Sequence, residues 1–150
     1  MRRWIPIKLG VLLLLLTACA STRPAPEASA RAAMLDFMEA LNSLDVDRMG
    51  AFFAEDVTAF VPSAQAERVE GKAALVEIFQ RYAEATRKTA ARTNLVPEDL
   101  EVEAGREMAV ASFNLRSPDG TGRRTFVLRR EGSRWRIVHF HASVLRVAGS

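Results

Sequence analysis

The sequence predicts an α+β domain in which helices pack on one face of a curved antiparallel sheet. Apolar residues recur at helical spacing in three segments before residue 89. Alternating segments typical of strands fill the chain after residue 98. In residues 121–145 both faces of a predicted hairpin carry large apolar side chains, whereas a strand face that meets water is usually polar. We therefore expect both faces of the sheet to be covered.

The first 18 residues are predicted to be a cleaved signal rather than part of the fold. Three basic residues precede the apolar run Leu9–Leu16, which is too short to cross a bilayer, since a spanning helix needs ~20 residues. Leu16-Thr17-Ala18-Cys19 follows and resembles the lipobox of bacterial lipoproteins. The resemblance implies that residues 1–18 are a lipoprotein signal peptide and that Cys19 is lipidated. The alternative is an ordinary secretory signal with an incidental cysteine.

Removal of the signal changes the interpretation of the charge. Three of the 21 basic residues lie in the signal, which leaves 18 against 18 acidic residues. The mature chain is then formally neutral, so we expect no nucleic-acid partner. Cys19 is the only cysteine, which excludes a disulfide within the chain. Ala20 in place of aspartate favours, by resemblance to the Gram-negative sorting rule, a cell-envelope location on the periplasmic side of the outer membrane.

Residues 19–29 are interpreted as a Pro/Ala/Ser tether and residues 30–147 as the folded domain. The domain begins with a helix predicted over Ala30–Leu44, and Asp45 can cap a short second helix. A third helix is predicted over Lys72–Lys88, where Leu75, Ile78, Phe79 and Tyr82 form one apolar stripe.

The strands follow from alternation and turn signals. The predicted strands are Val57–Val61, Arg68–Glu70, Asp99–Ala104, Glu107–Arg116 and the two arms of the terminal hairpin. Gly132-Ser133 is the predicted turn, which pairs Arg130 with Trp135. One hairpin face then carries Arg124, Phe126, Leu128, Arg130, Trp135, Ile137, His139, His141 and Ser143, and the other carries Thr125, Val127, Arg129, Arg136, Val138, Phe140, Ala142 and Val144.

These residues resemble a known superfamily. Asp56-Val57 after two phenylalanines, Glu70-Gly71-Lys72 opening a helix, and the terminal run from Arg134 to Ser143 are similar to the SnoaL-like and DUF4440 branch of the nuclear transport factor 2 (NTF2)-like proteins. The terminal run is also similar to the association domain of calcium/calmodulin-dependent kinase II. The resemblance implies a cone with three N-terminal helices packed on the concave face of the sheet, and a pocket between them.

The resemblance also implies the contents of the pocket. Aligned through Trp135, one pocket arginine of the kinase association domain falls on Phe126 and another falls near Asn114 or Leu115, so a more apolar pocket is expected here. The predicted pocket residues are Trp135, Phe126, Tyr82 and Ile137. No cofactor and no metal are expected, because no third histidine or cysteine would remain after lipidation.

Both histidines, His139 and His141, are two residues apart on one strand and are predicted to look into this pocket. An imidazole is useful as a general base near neutral pH, and Asp56 is the predicted carboxylate that orients it. The alternative is a pair of buried histidines that bridge sheet and helix.

Three functions remain open at this point. The first is a lipid-anchored protein that binds a small, mostly apolar ligand or partner in its cone. The second is a proton-transfer isomerase, dehydratase or cyclase that uses a histidine base. The third is a non-catalytic dimerisation module, since Val127, Val138 and Phe140 predict a homodimer contact on the sheet face away from the helices.

Overall fold

A computed structural model describes residues 25–62, 67–89, 94–117 and 120–146 of the chain. The elements within these ranges are α1 (Pro26–Asn42), α2 (Val46–Gly50), β1 (Phe53–Phe60), β2 (Arg68–Glu70), α3 (Lys72–Lys88), β3 (Glu98–Ala104), β4 (Met108–Ser117), β5 (Gly120–Glu131) and β6 (Arg134–Arg146). The α+β prediction is confirmed. The predicted signal peptide, Cys19 and most of the tether lie outside the described residues. Within them, none of the helices has the length and apolar character needed to span a bilayer.

Two helix predictions need correction. Helix α1 begins at Pro26, so the last residues of the predicted tether belong to the helix. Proline suits the first helical turn because its missing N–H has no intrahelical acceptor there. Helix α3 follows β2, so only α1 and α2 precede the sheet.

The six strands form one sheet in the order β2-β1-β6-β5-β4-β3. The pairs are antiparallel except for β1 and β6, which are parallel. The expectation of a wholly antiparallel sheet is therefore wrong at this pair. These two strands come from opposite ends of the domain, and no short turn between them requires an antiparallel arrangement. We call the sheet face that the helices cover the inner face, and the opposite one the outer face.

The terminal hairpin has the predicted register, with Arg130 opposite Trp135. Gly132 in the turn has φ of 64°, a conformation that glycine adopts at little cost. Further along, Leu128 pairs with Ile137 and Val127 with His139, which leaves Val138 without a partner on β5. Such a one-residue bulge reverses the alternation of all later side chains.

The bulge decides which residues of β6 are buried. Trp135 and Ile137 before it, and Phe140 and Ala142 after it, are all buried on the inner face. His139 and His141 lie on the outer face, with His141 exposed and His139 half-buried. The predicted face assignment is therefore wrong beyond Val138.

An aromatic cluster fills the space between the helices and the inner face. Phe37 of α1 is at its centre, with ring centroids 5.7 Å from Phe53, 6.2 Å from Phe79 and 5.5 Å from Phe126. Phe126 also stacks on Phe140 at 5.2 Å. Edge-to-face and offset stacked pairs of this kind add to the stabilisation from apolar burial. The cluster therefore fixes the helices over β5 and β6.

Candidate functional site

A cavity of about 180 Å³ lies between α1, α3 and the inner face. Its walls are mostly apolar, and α1, α3, β4, β5 and β6 contribute to them together with residues of two connections. The lining residues are Phe37, Leu41, Val61, Pro62, Ile78, Phe79, Tyr82, Leu95, Leu115, Arg124, Phe126, Phe140 and Ala142. The volume resembles that of an engineered protein cavity of about 150 Å³ that binds benzene.

The cavity walls are fixed by contacts around them. Phe126 and Phe140 are direct partners across β5 and β6, so their stacked rings form one rigid wall. On the helix side, the Asn42 side chain donates to the Leu95 carbonyl at 3.0 Å and accepts from the Leu95 N–H at 2.8 Å. This double hydrogen bond holds Leu95 against the end of α1. Helices, strands and the hydrogen-bonded residue Leu95 therefore fix the shape of the cavity.

Arg124 is the charged residue of the cavity wall. It lies two residues before Phe126 on β5 and therefore on the same face. Its Nη1 donates to the backbone carbonyls of Arg123 at 2.9 Å and of Ser143 at 3.1 Å. Burial lowers the pKa of Arg124, and the nearby Tyr82 opposes that effect. The cavity is therefore less apolar than the sequence predicted.

Gly122 makes room for this guanidinium. A Cβ atom at position 122 would lie 3.0 Å from Nη1 and 3.2 Å from Nη2 of Arg124, closer than ordinary van der Waals contact. The guanidinium lies over the strand because the residue beside it has no side chain. Sequence reasoning missed Arg124 as a cavity residue, although its period-2 relation to Phe126 was visible.

The four predicted pocket residues divide into two pairs. Phe126 and Tyr82 line the cavity, and Tyr82 is partly exposed at its edge. Trp135 does not line the cavity. Its indole Nε1 donates to Ser29 Oγ of α1 at 2.8 Å. The Arg130 guanidinium lies over the indole ring, with its carbon 5.5 Å from the ring centroid. Ile137 is packed in the core opposite Phe53 and does not line the cavity. Trp135 and Ile137 attach the hairpin to the rest of the domain.

The two histidines lie on the outer face, so the predicted orientation of their side chains is wrong. His139 Nδ1 is 2.8 Å from Thr58 Oγ1 on the neighbouring strand β1. The ring of Phe60 lies 5.9 Å from the His139 ring and 6.1 Å from the His141 ring. The sheet separates both imidazoles from the cavity. They cannot transfer a proton to a molecule bound there.

Asp56 makes an ion pair instead of orienting a histidine. Its two carboxylate oxygens accept from Arg129 at 3.0 and 2.8 Å, and this bidentate contact lowers the pKa of Asp56. Arg129 also donates to Glu131 at 2.8 Å. In the part of the chain that the structure describes, no three His, Cys, Asp or Glu side chains are grouped closely enough to hold a metal ion.

The comparison with protein families identifies the domain. The SnoaL-like domain model matches residues 30–146, which is most of the chain. The chain belongs to the SnoaL-like family. No protein of curated function matches this SnoaL-like chain.

Solved structures agree with the fold of the SnoaL-like domain. An NTF2-like protein of unknown function from Pseudomonas putida KT2440 is 26% identical, with a TM-score of 0.64 over 78% of this chain and 84% of that one. A candidate association domain of calcium/calmodulin-dependent protein kinase type II from Thiobacillus denitrificans is 25% identical, with a TM-score of 0.64 over 79% and 96%. A candidate dehydratase of the NTF2-like family from Streptomyces avermitilis is 16% identical, with a TM-score of 0.68 over 81% and 96%.

Proposed function

We propose that this protein binds a small, mostly apolar ligand in the cavity between α1, α3 and the inner face. The observation that carries the proposal is the cavity itself, which is walled by four phenylalanine rings at the centre of the domain. Ligand pockets are typically concave, mostly apolar and furnished with a few polar groups. Here Arg124 and Tyr82 supply the polar groups. The volume suits a group of about the size of a substituted benzene ring, and the cavity is partly open to solvent beside the exposed Tyr82.

The enzymatic alternative has less geometric support. The sequence predicted His139 or His141 as the base and Asp56 as the carboxylate that orients it, but these side chains lie away from the cavity. The described residues that line the cavity include no histidine, carboxylate or lysine that could act as a general base on a molecule bound there. Binding therefore accounts for the cavity better than proton transfer does.

A cavity-filling variant tests the proposal. Ile78 lines the cavity from α3, so Ile78→Trp should occupy its volume, whereas Val110→Trp adds the same ring on the outer face. Binding of phenylacetamide to the full chain in detergent would be measured by calorimetry, with circular dichroism to check the fold. We expect Ile78→Trp to abolish binding and Val110→Trp to retain it. Unchanged binding in a folded Ile78→Trp variant, or failure of the wild type to bind either phenylacetamide or its carboxylate analogue phenylacetate, would contradict the proposal.

We also propose that the outer face forms a homodimer contact. Phe60, Met108 and Val110 are 40%, 44% and 45% exposed there, and Phe60 lies beside the two histidines. Phe140, which was predicted to belong to this contact, is buried on the inner face, whereas Val127 and Val138 are partly exposed. The likeness to a candidate kinase association domain is consistent with self-association. A Val110→Glu variant should be monomeric by light scattering, and a monomeric wild type would refute the contact.

The membrane anchor remains a proposal that rests on the sequence around Cys19. Lipidation there would hold the domain at the periplasmic side of the outer membrane by a short tether. Labelled palmitate should be incorporated into the wild-type chain and not into a Cys19→Ala variant. Equal labelling of both would refute the anchor, and fractionation of the labelled cells would show in which membrane it lies.

A further inference from the structure

We propose that the cavity ligand is a small carboxylic acid, whose carboxylate Arg124 binds beside Tyr82 while its apolar tail lies among the phenylalanine rings. This inference rests on the proposed function of the cavity and names the chemical class of its ligand.

The first argument is the set of donors that Arg124 leaves unused. A guanidinium carries five N–H donors. The hydrogen bonds that Arg124 makes to described residues both use Nη1, and both acceptors are neutral backbone carbonyls. No carboxylate in the described ranges forms an ion pair with it, in contrast to Arg129, which contacts two. Nη2 and Nε therefore remain for an acceptor that the described protein does not supply.

The second argument is the cost of this arrangement. Arg124 is half-buried, and this partial burial lowers its pKa, so the charged guanidinium is less well solvated than at a fully exposed position. Gly122 permits the close approach that keeps the guanidinium in the wall. Two exposed arginines of this domain, Arg116 and Arg129, instead form ion pairs with acidic side chains of the protein. A ligand anion would give Arg124 the carboxylate partner that no described side chain supplies.

The third argument selects a carboxylate among anions. Two parallel N–H donors of a guanidinium match the two oxygens of a planar carboxylate. One arginine balances the single negative charge of a carboxylate, whereas a phosphate dianion would keep one charge uncompensated in a largely apolar cavity. The volume of about 180 Å³ leaves room for a tail of about one aromatic ring. Aryl acids and short-chain alkanoic acids are therefore the expected class.

The test compares phenylacetate with phenylacetamide, a neutral molecule of nearly the same shape, by calorimetry on the full chain in detergent at pH 7. We expect phenylacetate to bind the wild type at least tenfold more tightly. The Arg124→Gln variant should lose this preference, and Arg124→Lys should keep part of it, since lysine retains the charge without the planar fork. Arg123→Gln is the matched control, because Arg123 is the exposed neighbour on the same strand and should keep the preference.

The outcomes separate the two proposals. Equal affinity for both probes would overturn the carboxylate inference and leave the apolar-ligand proposal standing. A preference for phenylacetate that survives Arg124→Gln, or that Arg123→Gln also removes, would overturn the role of Arg124. If neither probe binds, both proposals fail. If Arg124→Gln does not fold, the partial preference expected of Arg124→Lys decides the role of the guanidinium.

Discussion

Substitution of two phenylalanines on opposite faces of the sheet measures how much the inner aromatic cluster contributes to the free energy of unfolding. Phe126 is 3% exposed and its ring lies 5.5, 5.6 and 5.2 Å from those of Phe37, Phe113 and Phe140. Replacing a buried phenylalanine with alanine typically costs about 3–5 kcal/mol, through lost burial and the space left behind. We expect Phe126→Ala to reduce the free energy of unfolding by about 4 kcal/mol, since the three lost ring contacts place it in the upper half of that range.

Phe60 is the matched control for this substitution. It is the same residue type in the same sheet, but it is 40% exposed and its ring contacts are with the two histidines. Phe60→Ala should cost less than about 1.5 kcal/mol, because two-fifths of its surface stays in water within one chain and its removal leaves no enclosed space. Urea unfolding followed by circular dichroism, at a concentration where the protein is monomeric, measures both. Equal losses for the two variants would refute the assignment of an inner core and an outer surface.

Three further substitutions test local contacts. The pKa of Asp56 is lowered because Arg129 donates to it, so the folded state binds this proton less readily than the unfolded chain does. The stabilisation by this ion pair is complete above about pH 4 and is lost as the pH falls further. The free energy of unfolding of Asp56→Asn should therefore fall less steeply with decreasing pH than that of the wild type, and equal slopes would contradict this. Ser29→Ala removes the acceptor of the Trp135 indole and should cost about 1–3 kcal/mol in urea unfolding; no loss would show that water replaces the hydroxyl. Gly122→Ala should leave the melting temperature nearly unchanged, because the flexible end of an arginine can move, but should weaken phenylacetate binding; unaltered affinity would contradict the role of the close approach.

The local parts of this fold could be predicted because they depend on near neighbours. The stripe of Leu75, Ile78 and Phe79 gives α3, and Gly132 gives the hairpin turn and its register. The parallel pairing of β1 with β6 could not be predicted in this way. It joins segments far apart in the chain, and its direction depends on the packing of the whole domain rather than on any turn.

The site was only partly predictable, for two physical reasons. Strict alternation assigns His139 to the inner face, but a bulge at Val138 has no clear sequence signature and reverses the assignment. Arg124 was not predicted as a pocket residue, because the resemblance placed one pocket arginine of the kinase association domain at Phe126 and another near Asn114 or Leu115. The structure has a cationic residue two positions earlier on the same face, where Gly122 gives it space.

The unpartnered residue at position 138 has a consequence for how this strand can change during evolution. Loss of that one codon would make the pairing with β5 regular while Phe140 stayed inward and the histidines stayed outward. Loss of a codon at a paired position nearby would instead exchange inward and outward residues along the rest of the strand. Related chains can therefore differ in length at this one place and still keep the same interior.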